Sequence, residues 1–351
     1  MATVIQPLPV PSQPRRRSIF SRIISVFFVL IFIGSVLLNF LFFSLMGMVW
    51  FGAMDEDGRV QERFFSHQYY ATDKVAILTI DGVIMSGEGF FKRQIEHAMK
   101  DAKNGRLKAL VVRVNSPGGT MSGSDYIYHH LCELSKQTNI PIVVSMGGLA
   151  ASGGYYASMA VGDTPEAIFA EPTTWTGSIG VIIPHYNCAG LMKELGVADD
   201  SVASNPLKEM GSFARPMTEE ERKIFQNLVN DAFARFKSVV EYGRPKFKQD
   251  PAALDKLATG QIFTADQAQQ NGLIDKIGFI DDAVDRAIAL AHLDKDNVKV
   301  VKYKPEPSLA NLLLGVQSAR PANFDLAALL DLATPRAYYL CTWLPAFSAK
   351  P

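Results

Sequence analysis

Cysteine is scarce in this chain. Cys132, Cys188 and Cys341 are its only three in 351 residues, far apart, odd in number and without a C-x-x-C pair. A disulfide-stapled scaffold and a thiolate zinc site are thereby excluded. Cys132 and Cys188 stand in apolar contexts and are expected to pack rather than react. A surplus of either charge is also missing: 35 Lys and Arg face 35 Asp and Glu, for a formal net charge of zero. Nucleic-acid binding needs clustered cations that release counterions, so no nucleic-acid partner is expected. Charged residues make up 20% of the chain and apolar ones 48%. That rules out wholesale disorder and leaves room for one large core or two ordinary ones.

The usual metal and nucleotide motifs are absent as well. No H-E-x-x-H occurs among His67, His97, His129, His130, His185 and His292, and there is no G-x-x-x-x-G-K-[ST]. No G-x-G-x-x-G joins a strand to a helix. His129 and His130 are neighbours in a helical run, pointing about 100° apart, so a shared metal is not expected. No cofactor is implied.

Ionisable side chains vanish altogether between Arg22 and Asp55. The run from Ile23 to Trp50 is almost all Ile, Val, Leu, Phe and Met, with Asn39 its one notably polar residue. As a helix it would extend about 40 Å, enough to cross a hydrocarbon core of about 30 Å with some tilt. A cleaved signal peptide would have about half this apolar length and a small-x-small site after it. Met46-Gly47-Met48-Val49-Trp50 stands there instead, so an uncleaved anchor is expected. Arg15, Arg16, Arg17 and Arg22 precede the span, and Asp55, Glu56 and Asp57 follow it. The positive-inside rule then keeps the N-terminus in the cytoplasm and sends the rest outside.

Beyond the polar stretch that ends near Thr72, strands and helices alternate. Lys74–Ile80, Leu107–Val114 and Ile140–Met146 have the apolar runs of buried strands. Phe91–Asn104 and Ser122–Thr138 have helical spacing between them. Crossover units of this length imply an α/β fold with a mainly parallel sheet, whose sites form beyond the carboxyl ends of the strands. Two glycine-rich segments lie there: Asn115-Ser116-Pro117-Gly118-Gly119, and Gly147 to Gly154 around Ser152. Thr218-Glu219-Glu220-Glu221 is a capping box. It opens a helix whose Ile224, Phe225, Leu228, Val229, Phe233, Phe236 and Val240 share one face. Asp281–His292 reads as another helix and Val298–Tyr303 as a last strand. From Pro305 the chain turns to Leu, Ala and Pro. Its run Tyr338–Phe347 is too short to span a bilayer and could pack on the body, lie on a membrane or contact a neighbour.

Chemistry has few places to sit. The Asn115–Gly119 segment can bare backbone N–H groups, as an oxyanion hole requires, or can be a plain tight turn. Ser152, between Ala150-Ala151 and Gly153-Gly154, can be a nucleophile on a sharp bend or merely the N-cap of the next helix. A nucleophilic serine needs a base. No histidine lies in a glycine-rich loop, which leaves a lysine in apolar surroundings, where desolvation favours the neutral amine. Lys208, in Ser204-Asn205-Pro206-Leu207-Lys208-Glu209-Met210-Gly211, is a candidate, although spacing alone does not single it out.

At these residues the chain resembles the signal peptide peptidase A family of membrane-anchored Ser/Lys-dyad proteases. The likeness extends from about Lys74 to Asp281. Asn115–Gly119 is similar to the family's oxyanion motif and Ser152-Gly153-Gly154-Tyr155-Tyr156 to its nucleophile motif. Leu207-Lys208-Glu209 stands where its general-base lysine does, and Thr176-Gly177-Ser178-Ile179-Gly180 resembles the segment that orients that lysine. The resemblance implies Ser152 as nucleophile, Lys208 as general base, Ser178 as the residue orienting the lysine, and the N–H groups of Gly119 and Gly153 as oxyanion donors. It also implies a crotonase- and Clp-protease-like spiral of ββα units behind one N-terminal transmembrane helix.

The layout expected on that basis is a cytoplasmic tail (1–22), a signal anchor (23–50), a linker (51–72), the protease domain (73–304) and a C-terminal tail (305–351). Implied partners are peptides (released signal peptides and other apolar or unfolded segments), membrane lipid around the anchor, and further copies in a ring-like homo-oligomer. The implied location is the cytoplasmic membrane, with the catalytic domain on its outer, periplasmic face. Two departures stand out: a longer Val161–Glu166 stretch, and Ser204-Asn205-Pro206-Leu207 in place of the usual glycine- and aromatic-containing run. The alternatives are a catalytically silent tethered scaffold of the same fold and an acyl-CoA-acting crotonase-type enzyme.

Overall fold

A computed structural model of the chain describes residues 19–54, 59–306 and 338–340. The arginines at 15–17, the acidic residues at 55–57, Cys341 and most of the tail after 305 lie outside the described residues. The chain divides into two units, one holding the N-terminal helix and the other holding nearly everything after it.

Helix α1 is Ile19–Met54. Its Val26–Ser44 portion is long and apolar enough to cross a membrane, and the large side chains of Val26 to Phe43 are exposed. The Asn39 amide donates to the Ser35 carbonyl one turn back, at 2.7 Å. Its polarity is thus met within the helix, which a hydrocarbon environment demands.

The second unit is built on a nine-stranded sheet. The strands of this unit, nine in that sheet and two in a smaller one, are in chain order β1 (Val60–His67), β2 (Asp73–Asp81), β3 (Leu107–Ser116), β4 (Gly118–Thr120), β5 (Ile142–Ala151), β6 (Ile168–Ala170), β7 (Trp175–Gly177), β8 (Ile262–Thr264), β9 (Lys276–Ile277), β10 (Val298–Pro305) and β11 (Tyr338–Leu340). The main order is β1-β10-β2-β3-β5-β6-β9. It is parallel from β10 to β9, with β1 antiparallel at one edge. β7 continues beside the end of β5, and β8 pairs with β7. β4 leaves the sheet and pairs antiparallel with β11. Helices α2 (Phe90–Lys103), α3 (Met121–Thr138), α4 (Gly153–Ser158), α5 (Ala189–Glu194) and α6 (Glu219–Gly243) are joined by further short helices and by Ile280–Leu290.

Both faces of the sheet are covered, and alternation along a strand decides which residue goes where. On β2, Ala76, Leu78 and Ile80 enter the larger core with α2, α3, α4 and α6. Val75 and Ile77 enter the smaller one, under Ala283, Val284, Ala287 and Ile288. The α6 capping box is present in both directions.

Three details depart from the sequence reading. Val60–His67, inside the expected linker, is edge strand β1. β5 runs on through Gly147 and Gly148 to Ala151, because the ladders to β3 and then β7 hold it extended. The apolar face of α6 is buried only in its second half, at Ala232, Phe236, Val239 and Val240, whereas Leu228 is exposed.

Candidate active site

β3 and β5 are parallel neighbours, so the segments that follow them meet at one end of the sheet. Ser152 is the residue between β5 and α4, with φ 54° and ψ −113°. A non-glycine residue at positive φ is strained and persists only where its surroundings enforce it. Here its N–H donates to the Gly177 carbonyl and its carbonyl accepts from the Tyr156 N–H, both at 2.8 Å. The side chain is buried, and its hydroxyl makes no capping hydrogen bond. Ser152 thus holds the N-cap position without capping: its backbone is bent at cost and, among the described residues, its hydroxyl has no hydrogen-bond partner.

The segment after β3 folds tightly against this bend. Ser116 Oγ donates to the Gly82 carbonyl at 2.6 Å and accepts from the Gly118 N–H at 3.1 Å. Gly118 has φ +94°, and a Cβ there would lie 2.5 Å from the Gly153 nitrogen. On Gly119 a Cβ would fall 1.9 Å from the Ile84 carbonyl oxygen. On Gly153 it would meet Ser124 Oγ at 2.3 Å and the Gly119 nitrogen at 3.2 Å. The Gly118 and Gly119 backbones thus pack against Gly153 beside Ser152, and a side chain on Gly118 would collide with the Gly153 nitrogen.

Ser178 lies one residue beyond Gly177, the residue that holds the Ser152 backbone. It also has positive φ, 50°, is buried, and donates its N–H to the Gln261 carbonyl at 2.7 Å. It lines a cavity of about 380 Å³ together with Ile179, Ile182, Phe233 and Gly260.

Lys208 is different. It sits in a 3-10 turn, Pro206–Glu209, capped by the Asn205 side chain, and it is exposed. Among the described residues, its ammonium has no hydrogen-bond or ion-pair partner, neither Ser152 nor Ser178. The apolar surroundings expected for it are not supplied: Asn205, Pro206 and Leu207 are exposed as well. Its turn is nonetheless anchored. Arg215 donates to the Glu209 carbonyl at 3.3 Å and to both Glu221 carboxylate oxygens at 2.6 and 3.1 Å. That guanidinium lowers the nearly buried Glu221 carboxyl from 4.5 to about 2, with the Thr218 N–H assisting.

With this geometry in hand, the comparisons are decisive. A protein of Synechocystis named as a protease is 36% identical over 258 residues, covering 74% of this chain and 89% of its own. The profile described as Peptidase family S49 matches residues 135–294. This chain belongs to peptidase family S49. A signal peptide peptidase SppA of Enterococcus faecium is 39% identical over 221 residues, 60% of this chain and 62% of that one. Protease 4 of Salmonella typhi is 34% identical over 249 residues, 68% of this chain and only 38% of that one. The S49 chain is accordingly a serine protease of mixed α/β fold.

Sequence reasoning about this S49 peptidase missed several neighbours of the site. Tyr156, one turn beyond Ser152 on α4, is buried, and its hydroxyl donates to Asp125. Ser124, under Gly153, donates to the Thr120 carbonyl at 2.9 Å. Ile84 is bonded on both sides of Gly119, donating to the Gly118 carbonyl and accepting from the Thr120 N–H, each at 2.8 Å. None carries a motif of its own, although Tyr156 stood inside the quoted nucleophile segment. The Tyr338–Phe347 run, which could have gone several ways, places Tyr338–Leu340 along β4. His129 and His130, expected to diverge, come together with Glu133: one ligand atom from each lies within 4.8 Å of the others.

Proposed function

We propose that this S49 peptidase is a membrane-anchored endopeptidase that cuts apolar or unfolded segments, released signal peptides among them, by acyl-enzyme chemistry on Ser152. The carrying observation is the strained, buried Ser152, whose hydroxyl makes no cap, beside two glycine backbones. Ser152 Oγ attacks the peptide carbonyl, and the neutral amine of Lys208 takes its proton. The N–H groups of Gly119 and Gly153 receive the developing oxyanion. Lys208 returns the proton to the leaving amine as the C–N bond breaks. Water, deprotonated by the same amine, then cleaves the ester and restores Ser152. Ser178 orients the lysine.

The exposure of Lys208 points to a site completed between copies. The stretch around it presents Tyr186, Leu191, Leu195, Val197, Val202 and Phe213 to solvent, and clustered exposed apolar side chains are what a protein–protein contact covers. A neighbouring copy covering it would desolvate Lys208 and carry it to a Ser152. The long apolar α1 supports anchoring, and the arginines before it support an N-terminus held in the cytoplasm with the peptidase unit outside.

The test uses the full-length chain in detergent with a leucine-rich peptide. Ser152→Ala and Lys208→Ala should each lower kcat by about 10⁴-fold or more, with assembly size unchanged. Mixing the two inactive variants and reassembling them should restore part of the activity if each site draws on two copies. The same exposure of Lys208 favours a second reading, a silent scaffold. Wild-type protein that stays inactive in its assembled form would establish that reading instead.

A further inference from the structure

Helix α3 carries a cluster that the peptidase chemistry does not use. His129, His130 and Glu133 stand on its outer side, His129 exposed and the other two partly buried. Helical spacing explains how two histidines that diverge by about 100° can share a partner. Glu133 lies four residues beyond the first and three beyond the second. About the helix axis it therefore falls between them, one turn further along. Side chains on a helix lean toward its N-terminus, which brings the carboxylate back over both rings.

The distances are those of ligands around one ion. His129 Nε2 and His130 Nδ1 each lie 3.5 Å from the same oxygen, Glu133 Oε2. That is longer than an ordinary hydrogen bond of about 2.7–3.2 Å. Donor atoms at about 2.0–2.2 Å from a tetrahedral zinc stand about 3.3–3.5 Å apart. One ligand atom from each of the three residues lies within 4.8 Å of the others, and the exposed His129 ring has room to turn the remaining pair to the same spacing. The His130 ring is held in place, packing edge-on against Tyr126 one turn back with centroids 4.2 Å apart.

We propose that His129, His130 and Glu133 bind one divalent transition cation of the zinc type, with water in the fourth position. Two imidazole nitrogens select such a borderline ion over Mg²⁺ and Ca²⁺, which take oxygen shells. A groove of about 510 Å³ between α2 and α3, lined by His130 and Glu96, offers space for that water and a carboxylate to accept its hydrogen bond. Lys100 and Lys103 line the groove as well. Both are exposed, where salt screens their repulsion of a cation. The cluster lies more than a turn along α3 from Ser124 and Asp125, which contact Gly153 and Tyr156. A bound ion thus takes no part in the acyl chemistry, and because it needs the folded helix it raises stability by mass action.

The experiment uses the full-length chain in detergent, without a histidine tag and freed of metal by a chelator. ZnCl₂ is titrated in by calorimetry, and thermal unfolding is followed with and without the ion. Wild type should bind one Zn²⁺ per chain at micromolar concentrations and melt higher with it, whereas MgCl₂ should do neither. His129→Ala, His130→Ala and Glu133→Gln should each weaken binding by about tenfold to a hundredfold or more. In chelator all three should melt with wild type, since they change surface side chains; this separates loss of a ligand from loss of fold. His292→Asn is the control. It removes another exposed imidazole, beyond the helix that packs on the opposite face of the sheet, and asparagine tolerates its φ of 54°. This variant should bind as wild type does. Absence of binding in wild type, full binding in any of the three variants, or an equal loss in His292→Asn overturns the site. Peptide cleavage is not read in any arm, so the metal site and the peptidase reading stand or fall separately.

Discussion

Replacing Gly119 by alanine tests whether catalysis needs the bare backbone that follows β3. The added Cβ would sit 1.9 Å from the Ile84 carbonyl oxygen, 2.5 Å from its carbon and 2.7 Å from its nitrogen. All three are main-chain atoms, so no rotamer change relieves the clash, and the backbones must separate by about an ångström or more. They are held by the Ile84 N–H to Gly118 carbonyl and Thr120 N–H to Ile84 carbonyl bonds, each at 2.8 Å. The displacement therefore either breaks those bonds or carries the Gly119 N–H away from Ser152. Misplacing a group by about 1 Å costs about a hundredfold, and losing an oxyanion donor costs about 10²- to 10³-fold in kcat. The expected result for Gly119→Ala is a fall in kcat of about 10²- to 10³-fold with little change in KM. A stability loss of about 1–3 kcal/mol should accompany it. Gly148→Ala is the matched control: its nearest atom, Asn115 Oδ1, is 4.0 Å from the new Cβ, and activity should stay within about twofold. Steady-state kinetics on a peptide, with thermal unfolding of each variant, reads both. A Gly119→Ala enzyme keeping a tenth or more of wild-type kcat would refute the assignment of this loop.

Further expectations concern what holds the site in place. Glu221→Gln removes the carboxylate that Arg215 and the Thr218 N–H share and should cost about 1–3 kcal/mol by urea unfolding. Because the folded carboxyl lies at about 2 against an ordinary 4.5, its contribution is complete above pH 4.5 and fades as pH falls toward about 2. Wild type should lose stability across that window more steeply than Glu221→Gln, and parallel curves would contradict the pairing. Lys74 is buried between Glu62, at 2.5 Å, and Asp101. Lys74→Met would leave the buried Asp101 carboxylate with only His97, 3.6 Å away, as a cationic partner, at about 3–5 kcal/mol. Burial raises the Asp101 carboxyl, but its hydrogen bond to Lys74 and that ammonium's charge outweigh this and hold it below its ordinary value. Its share of stability is therefore also lost toward acid, and Lys74→Met should be the less acid-sensitive protein, as tryptophan fluorescence during acid titration would show.

Much of the fold was legible because local pattern and tertiary demand agree. β2 and β3 are buried on both faces and read as unbroken apolar runs. α3 begins at the Thr120 cap, whose Oγ1 accepts from the Gly123 N–H at 3.1 Å. β1 was not legible, since an edge strand with the sequence VQERFFSH is half exposed and pairs with β10, which is remote in sequence. Gly147 and Gly148 read as loop residues because glycine propensity disfavours strands, but β5 carries them across a register shift between Met146, opposite Val114, and Ala150, opposite Ser116.

By itself the sequence determined the charge-free helix, the alternation that makes a parallel sheet, and the two small-residue segments at the carboxyl ends of adjacent strands. These follow from spacing and composition over a few residues, which each segment carries with it. Only the tertiary structure decided that Ser152 is bent to positive φ and makes no side-chain cap, since the Gly177 carbonyl that holds its backbone belongs to another strand. Close contact with Ile84 and Ser124 likewise decided why Gly119 and Gly153 can be nothing larger. Tyr339 finds its place between Tyr156 and Phe236 in the same way, and Lys208 is left in solvent because the elements around its turn do not close over it. Each of these outcomes depends on groups far apart along the chain, and distance in space between such groups is not encoded in any local pattern.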